Sequence, residues 1–105
     1  MAEPMKIRAT LKGEVADIRV LVAHPMETGL RRDAKGELVP MHFIQSVVVT
    51  HNGNTVYSGQ WSQAVSRNPV FAVRVRGAKV GDKIAVIWAD NKGDKRTDET
   101  AVVAS

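Results

Sequence analysis

Met5-Lys6-Ile7-Arg8-Ala9-Thr10-Leu11-Lys12 alternates apolar and polar residues without a break and stops at Gly13. On an extended chain this places Met5, Ile7, Ala9 and Leu11 on one face and the polar residues on the other, as in a half-buried strand. The same period returns from Glu14 to Ala23, where Ile18, Val20 and Val22 share a face. It returns again in Phe71, Val73 and Val75 between Arg74 and Arg76, and in Ile84, Val86 and Trp88 within Lys83 to Ala89. Strand character also runs from His42 through Thr50 and from Thr55 to Trp61, with a more polar run from Lys95 to Val103. Asn52-Gly53 joins the first two of these as a two-residue hairpin turn, since both residue types tolerate positive φ. Asn68-Pro69, Gly81-Asp82 and Asp90-Asn91-Lys92-Gly93-Asp94 supply further turns. About seven short strands and no helical period predict an all-β fold, two sheets packed as a β-sandwich.

The 105 residues, 44% hydrophobic and 25% charged, fit a single domain over 1–105 that buries a core without staples. No cysteine is present, which removes disulfides, thiol nucleophiles and thiolate metal sites. Met1-Ala2-Glu3-Pro4-Met5-Lys6 lacks the basic start and apolar run of a secretory signal. No stretch approaches the ~20 apolar residues that span a bilayer, so no membrane association is expected. The net charge of +4 admits an acidic partner or nucleic acid, but a count does not say whether the charge is clustered.

The three histidines are His24, His42 and His51, without the short spacing of a metal motif, and they read as structural or surface residues. His24 and His42 flank the segment between the second and third strands and can meet at its base. Asp98 and Glu99 are strand neighbours, so they point to opposite faces and form no acid–base pair. Asp17, Glu27, Asp33, Glu37, Asp82, Asp90 and Asp94 read as turn or loop carboxylates. No phosphate-cradling loop occurs, and no catalytic residue, metal or cofactor is expected. For nucleic acid the candidate cations are Arg31-Arg32, Arg67, Arg74, Arg76, Lys95 and Arg96. Phe71 and Trp88 are in phase with aliphatic residues, which leaves Tyr57 and Trp61 as a stacking platform or as core and interface packing. A basic nucleic-acid-binding β domain is therefore the alternative reading, and nucleic acid is not the expected partner.

From His24 to Pro40 the alternation stops, and the segment reads as a long loop, unusual in a small domain and often functional. Its sequence His24-Pro25-Met26-Glu27-Thr28-Gly29-Leu30-Arg31-Arg32-Asp33, continuing to Gly36-Glu37-Leu38-Val39-Pro40, resembles the signature loop of the SoxZ family. The likeness extends to His42-Phe43-Ile44-Gln45, Asn52-Gly53, Ala64-Val65-Ser66-Arg67-Asn68-Pro69 and Trp88-Ala89-Asp90-Asn91-Lys92-Gly93-Asp94. The blocks run in order through most of the chain.

The resemblance implies an immunoglobulin-like β-sandwich. It implies a non-catalytic subunit that pairs with SoxY in the SoxYZ carrier, where a cysteine on SoxY's flexible arm holds sulfur intermediates of thiosulfate oxidation. Other Sox enzymes would meet the chain through that complex. It would work in the periplasm, exported with a leader-bearing partner. Met26, Glu27, Arg31, Arg32, Phe43 and Trp61 are the expected partner-binding residues, with Arg31 and Arg32 available to steer an acidic partner. Isolated, such a sandwich can pair with itself through a sheet edge.

Overall fold

The computed structural model describes residues 3–62 and 64–104, and the readings that touch Met1, Ala2, Gln63 and Ser105 lie outside them. The strands are β1 (Lys6–Lys12), β2 (Val15–Leu21), β3 (Ile44–His51), β4 (Asn54–Gln60), β5 (Val70–Arg76), β6 (Lys83–Asp90), β7 (Lys95–Ala101) and β8 (Val103–Ala104). They form two four-stranded sheets, ordered β5-β2-β1-β8 and β4-β3-β6-β7. The fold is an immunoglobulin-like β-sandwich, as the strand periods predict.

Alternation decides what lies between the sheets. Ala9 of β1, Ala16, Ile18 and Val20 of β2 and Val75 of β5 face Ile44, Val47 and Val49 of β3 and Ile84, Val86 and Trp88 of β6, all buried. Phe43, Tyr57, Trp61 and Phe71 are half-buried and pack against this core. Tyr57 and Phe71 have ring centroids 6.0 Å apart, and Trp61 meets Phe71 edge-on at 5.4 Å. Trp61 Nε1 also donates to the Tyr57 hydroxyl at 3.3 Å. A Cβ at Gly59 would run into that hydroxyl, so glycine lets the Tyr57 ring fold back along its own strand. Of the two readings of Tyr57 and Trp61, the structure shows packing against the core, as a seal over one side of the sandwich.

Strand eight replaces the end of a single last strand. Beyond Ala101 the buried Val102 donates its N–H to the Asp82 carbonyl and accepts from the Gly81 N–H, both at 2.8 Å. The chain thereby leaves one sheet and joins the other, where Val103 and Ala104 pair in parallel with Thr10 and Leu11. The hairpin between β3 and β4 turns at Asn52 and Gly53, with φ of 49° and 86°, as its sequence requires.

The segment between β2 and β3 differs from a plain loop. It folds as an antiparallel ribbon with isolated bridges Glu27–His42 and Arg32–Leu38. Val39 N–H donates to the Arg31 carbonyl, and Asp33 N–H to the Glu37 carbonyl. At its tip the Asp33 carboxylate accepts the N–H groups of Lys35 and Glu37. Residues 30 to 38 are exposed throughout. The molecule measures 53 × 22 × 21 Å, twice the ~25 Å reach of its longest strands. The ribbon is therefore an arm. Among the described residues no helix is long and apolar enough to cross a membrane.

Ile18 is wholly buried whereas Leu30 on the arm is 82% exposed. Ile18→Ala is expected to lower unfolding free energy by roughly 2–5 kcal/mol, and Leu30→Ala by less than about 0.5. Urea titration of both variants checks this partition.

Candidate functional site

The arm is fastened to the sandwich at one carboxylate. Asp90 ends β6, and its side chain is completely buried. Its Oδ1 accepts the backbone N–H groups of Lys92 (3.0 Å) and Asp94 (2.9 Å), which closes the turn after β6. Its Oδ2 faces His24 Nε2 at 3.0 Å and His42 Nε2 at 2.7 Å. An ionised carboxylate only accepts hydrogen bonds, so both ring nitrogens carry protons and donate them. The site is a carboxylate holding four N–H donors.

His24 is held at every polar atom. Its backbone N–H donates to Asn68 Oδ1 (3.1 Å), and its carbonyl accepts the Asn68 N–H (3.0 Å). Its Nδ1 accepts the Met26 N–H at 3.0 Å, which fixes the neutral ring's proton on Nε2, towards Asp90. The ring lies edge-on to His42 at 4.6 Å and to Trp88 at 5.1 Å. Trp88 Nε1 is a buried donor without an acceptor among the described residues. Asn91 completes the clasp: its side chain accepts from Phe43 N–H and donates to the Met41 carbonyl. An open cleft of about 330 Å³ runs beside these groups, with Glu3, Asn68 and Asp94 on its walls.

The His24, His42 and Asp90 ligand atoms lie within 4.8 Å of one another, close enough to share a cation. The proton positions oppose that use. A neutral histidine that ligates through Nε2 carries its proton on Nδ1, where His24 already meets a backbone donor. The arrangement suits a hydrogen-bonded clamp, in which His24 and His42 meet at the base of the segment they flank and share Asp90. His51 follows the same rule elsewhere, with Nε2 2.7 Å from Asp82 Oδ2.

Electrostatics follow from burial and bonding. Burial pushes His24 below the ordinary histidine value of 6.5, against its hydrogen bond to Asp90. Burial alone would raise the Asp90 carboxyl, but the two histidines and two backbone donors outweigh it and hold its pKa below the usual range. The His51 hydrogen bond, with those from Lys79 and Asn52, brings Asp82 down to about 2. The Arg96 guanidinium and the Met5 N–H lower Asp98 despite its partial burial.

The residues expected to bind a partner are divided. Met26 is 5% exposed, has φ of 47°, and its Sδ accepts the Ile44 N–H. Glu27 is also buried and takes a bidentate grip from Arg31 Nε at 3.0 and 2.8 Å. Arg32 is exposed and donates to the Gly36 carbonyl across the ribbon. Phe43 and Trp61 are half-buried against the core. Only Arg31 and Arg32 are presented outright. Asp90's role has no local sign in the sequence, since turn aspartates are common and its histidine partners lie 48 and 66 positions away.

Two acid limbs are expected in stability. The buried neutral His24, faced by His42, Asp90 and Asp94, binds fewer protons than it does in the unfolded chain, so stability falls as pH drops below about 6.5. Asp82, Asp90 and Asp98, with lowered folded values, add stability that is lost below the ordinary 3.8, for Asp82 down to about 2. Urea midpoints from pH 8 to 2 read both limbs, and His24→Gln should remove the first alone. Asp90→Ala, which strands four donors, is expected to cost about 3–5 kcal/mol in the same assay.

Comparison with known proteins places this geometry. No curated protein sequence matches the chain. Solved structures share the fold: a hypothetical protein from Pyrococcus horikoshii is 16% identical, with a TM-score of 0.68 over 97% of this chain and 89% of that one. Superoxide reductase from Nanoarchaeum equitans is 16% identical, with a TM-score of 0.65 over 95% and 92%. Superoxide reductase (neelaredoxin) from Ignicoccus hospitalis is 14% identical, with a TM-score of 0.62 over 99% and 82%. At such identities the likeness is one of fold. The profile of sulphur oxidation protein SoxZ matches residues 5–101, so this chain, with its arm clamped on Asp90, belongs to the SoxZ family.

Proposed function

We propose that the chain is the non-catalytic subunit of a sulfur-carrier complex, a rigid body that pairs with a SoxY-type protein whose cysteine holds the intermediates of thiosulfate oxidation. The family match across residues 5–101 carries the reading, and it gives the chain a role in sulfur oxidation through the Sox system. The absence of cysteine supports the division of labour, because a covalent sulfur intermediate then has to sit on the partner. Superoxide reduction, the activity named for two fold relatives, is not carried over on 14–16% identity. We place the complex in the periplasm, reached with a leader-bearing partner, and other Sox enzymes meet this chain through it.

The surfaces support a lasting pairing. The outer face of the β4-β3-β6-β7 sheet is uncharged at its centre, where Ser46, Val48 and Thr50 lie across from Ala85, Ile87 and Ala89. Charges appear at its margin, where Lys83 and Glu99 stand 3.8 Å apart. A charge-depleted centre with a polar rim is the anatomy of a stable protein interface. The exposed Leu30, Leu38 and Met41 give the arm a second apolar contact. Isolated, the chain would pair with itself through the same face.

Co-expression with a tagged SoxY-type protein is expected to yield a one-to-one complex by light scattering, and no complex would end this reading. Ile87→Lys, a change on the outer face, should weaken that complex at least about tenfold with the fold intact by circular dichroism.

A further inference from the structure

The positive charge of this chain is not spread over its surface. Register places the outward side chains of β1, β2 and β5 in four rows across the sheet: Lys6-Leu21-Val70, Arg8-Arg19-Ala72, Thr10-Asp17-Arg74 and Lys12-Val15-Arg76. Six cations and one carboxylate occupy this face, a net +5, whereas the whole chain carries +4. The rest of the molecule is therefore net negative by one. Lys6, Arg8, Lys12, Arg19, Arg74 and Arg76 are all exposed. Among the described residues only Arg19 of the six has a carboxylate within ion-pair distance, Asp17 at 3.4 Å. Arg31, by contrast, is engaged by Glu27, so the arm is not the principal basic surface.

The arrangement stores repulsion. Arg8 and Arg19 are directly opposed across β1 and β2, a like-charge pair that destabilises a sheet unless an anion lies between them. Shallow hollows lie along the same face, one between Lys6, Arg8 and Arg19 and another between Lys12, Arg74 and Arg76. Four of the six cations are arginines, whose planar forks take carboxylates two-handed.

We infer that this face docks an acidic protein surface, its arginines taking rows of carboxylates. Strand and row spacings of about 5 and 7 Å match the spacing of carboxylates on a strand or one side of a helix. Two features favour protein over nucleic acid. None of the twelve positions is aromatic, so no base can stack. Val70, 70% exposed, Val103, 53% exposed, and Leu21 border the cations with apolar surface suited to side-chain contact. This face lies on the opposite sheet from the uncharged one, and its partner is independent of the pairing proposed above.

Poly-L-glutamate and a 20-base-pair DNA duplex at equal charge concentration serve as probes for the full-length chain, by fluorescence anisotropy at 20 and 150 mM salt. Poly-L-glutamate should bind more tightly than the duplex and weaken as salt rises. Arg8→Glu/Arg76→Glu should weaken it about tenfold or more. Thermal stability should not fall, because Arg8→Glu places a carboxylate opposite Arg19 and Arg76→Glu stands opposite the uncharged Val15, and this shows that lost binding is not lost folding. Lys92→Glu/Lys95→Glu changes the net charge equally at the β6–β7 turn, at the end of the other sheet, and should bind within about twofold of the unsubstituted chain. No binding at 20 mM salt, tighter binding of the duplex, or equal weakening by both double variants would overturn the proposal.

Discussion

A buried carboxylate is tolerable only when its oxygens are occupied, and Asp90 meets that demand with four N–H donors drawn from three parts of the chain. Two come from the turn that follows β6, one from the end of β2 and one from the start of β3. Each donor is positioned by something further out: His24 by Asn68 and the Met26 N–H, and the chain before β3 by Asn91. Removing the acceptor therefore loosens three segments at once. The arm's direction depends on this acceptor, because among the described residues the hydrogen bonds that tie the ribbon to the body lie at its base.

The same fold sorts its charge. Strand alternation sends apolar side chains inward on both sheets, so every difference between the two outer faces resides in the polar half of each period. On β1, β2 and β5 six of the twelve outward positions are lysine or arginine, whereas on β3 and β6 the centre is serine, threonine, alanine, valine and isoleucine, with Lys83 at the margin. One molecule thus presents a basic face and an uncharged face back to back. The two surfaces suit different contacts, since a neutral interface holds and a charged one steers.

Much of the fold was legible because period two is a local property. β1, β2, β5 and β6 appear in sequence within a residue or two of their ends, and Asn52-Gly53 marks its turn by chemistry alone. β8 was not legible, because two residues carry no period and Val102 changes sheets through bonds to Gly81 and Asp82. The arm was read as loop for a related reason: its two bridges are isolated, and ribbon pairing without a buried face leaves no hydrophobic pattern. Of the residues expected to bind a partner, Met26 and Glu27 proved to be buried, since an apolar or acidic residue in a loop looks the same whether it faces solvent or core.

The sequence by itself determined a cysteine-free β-sandwich and, through ordered blocks, its resemblance to one family. Its physical basis is short range: alternation, turn chemistry and the absence of a residue type survive without coordinates. Only the tertiary structure decided that His24, His42 and Asp90 share protons and that Arg8 stands opposite Arg19. Those facts depend on register and on the closure of chain segments up to 66 residues apart. No local pattern encodes such distances, because loop closure and strand pairing set them jointly across the whole chain.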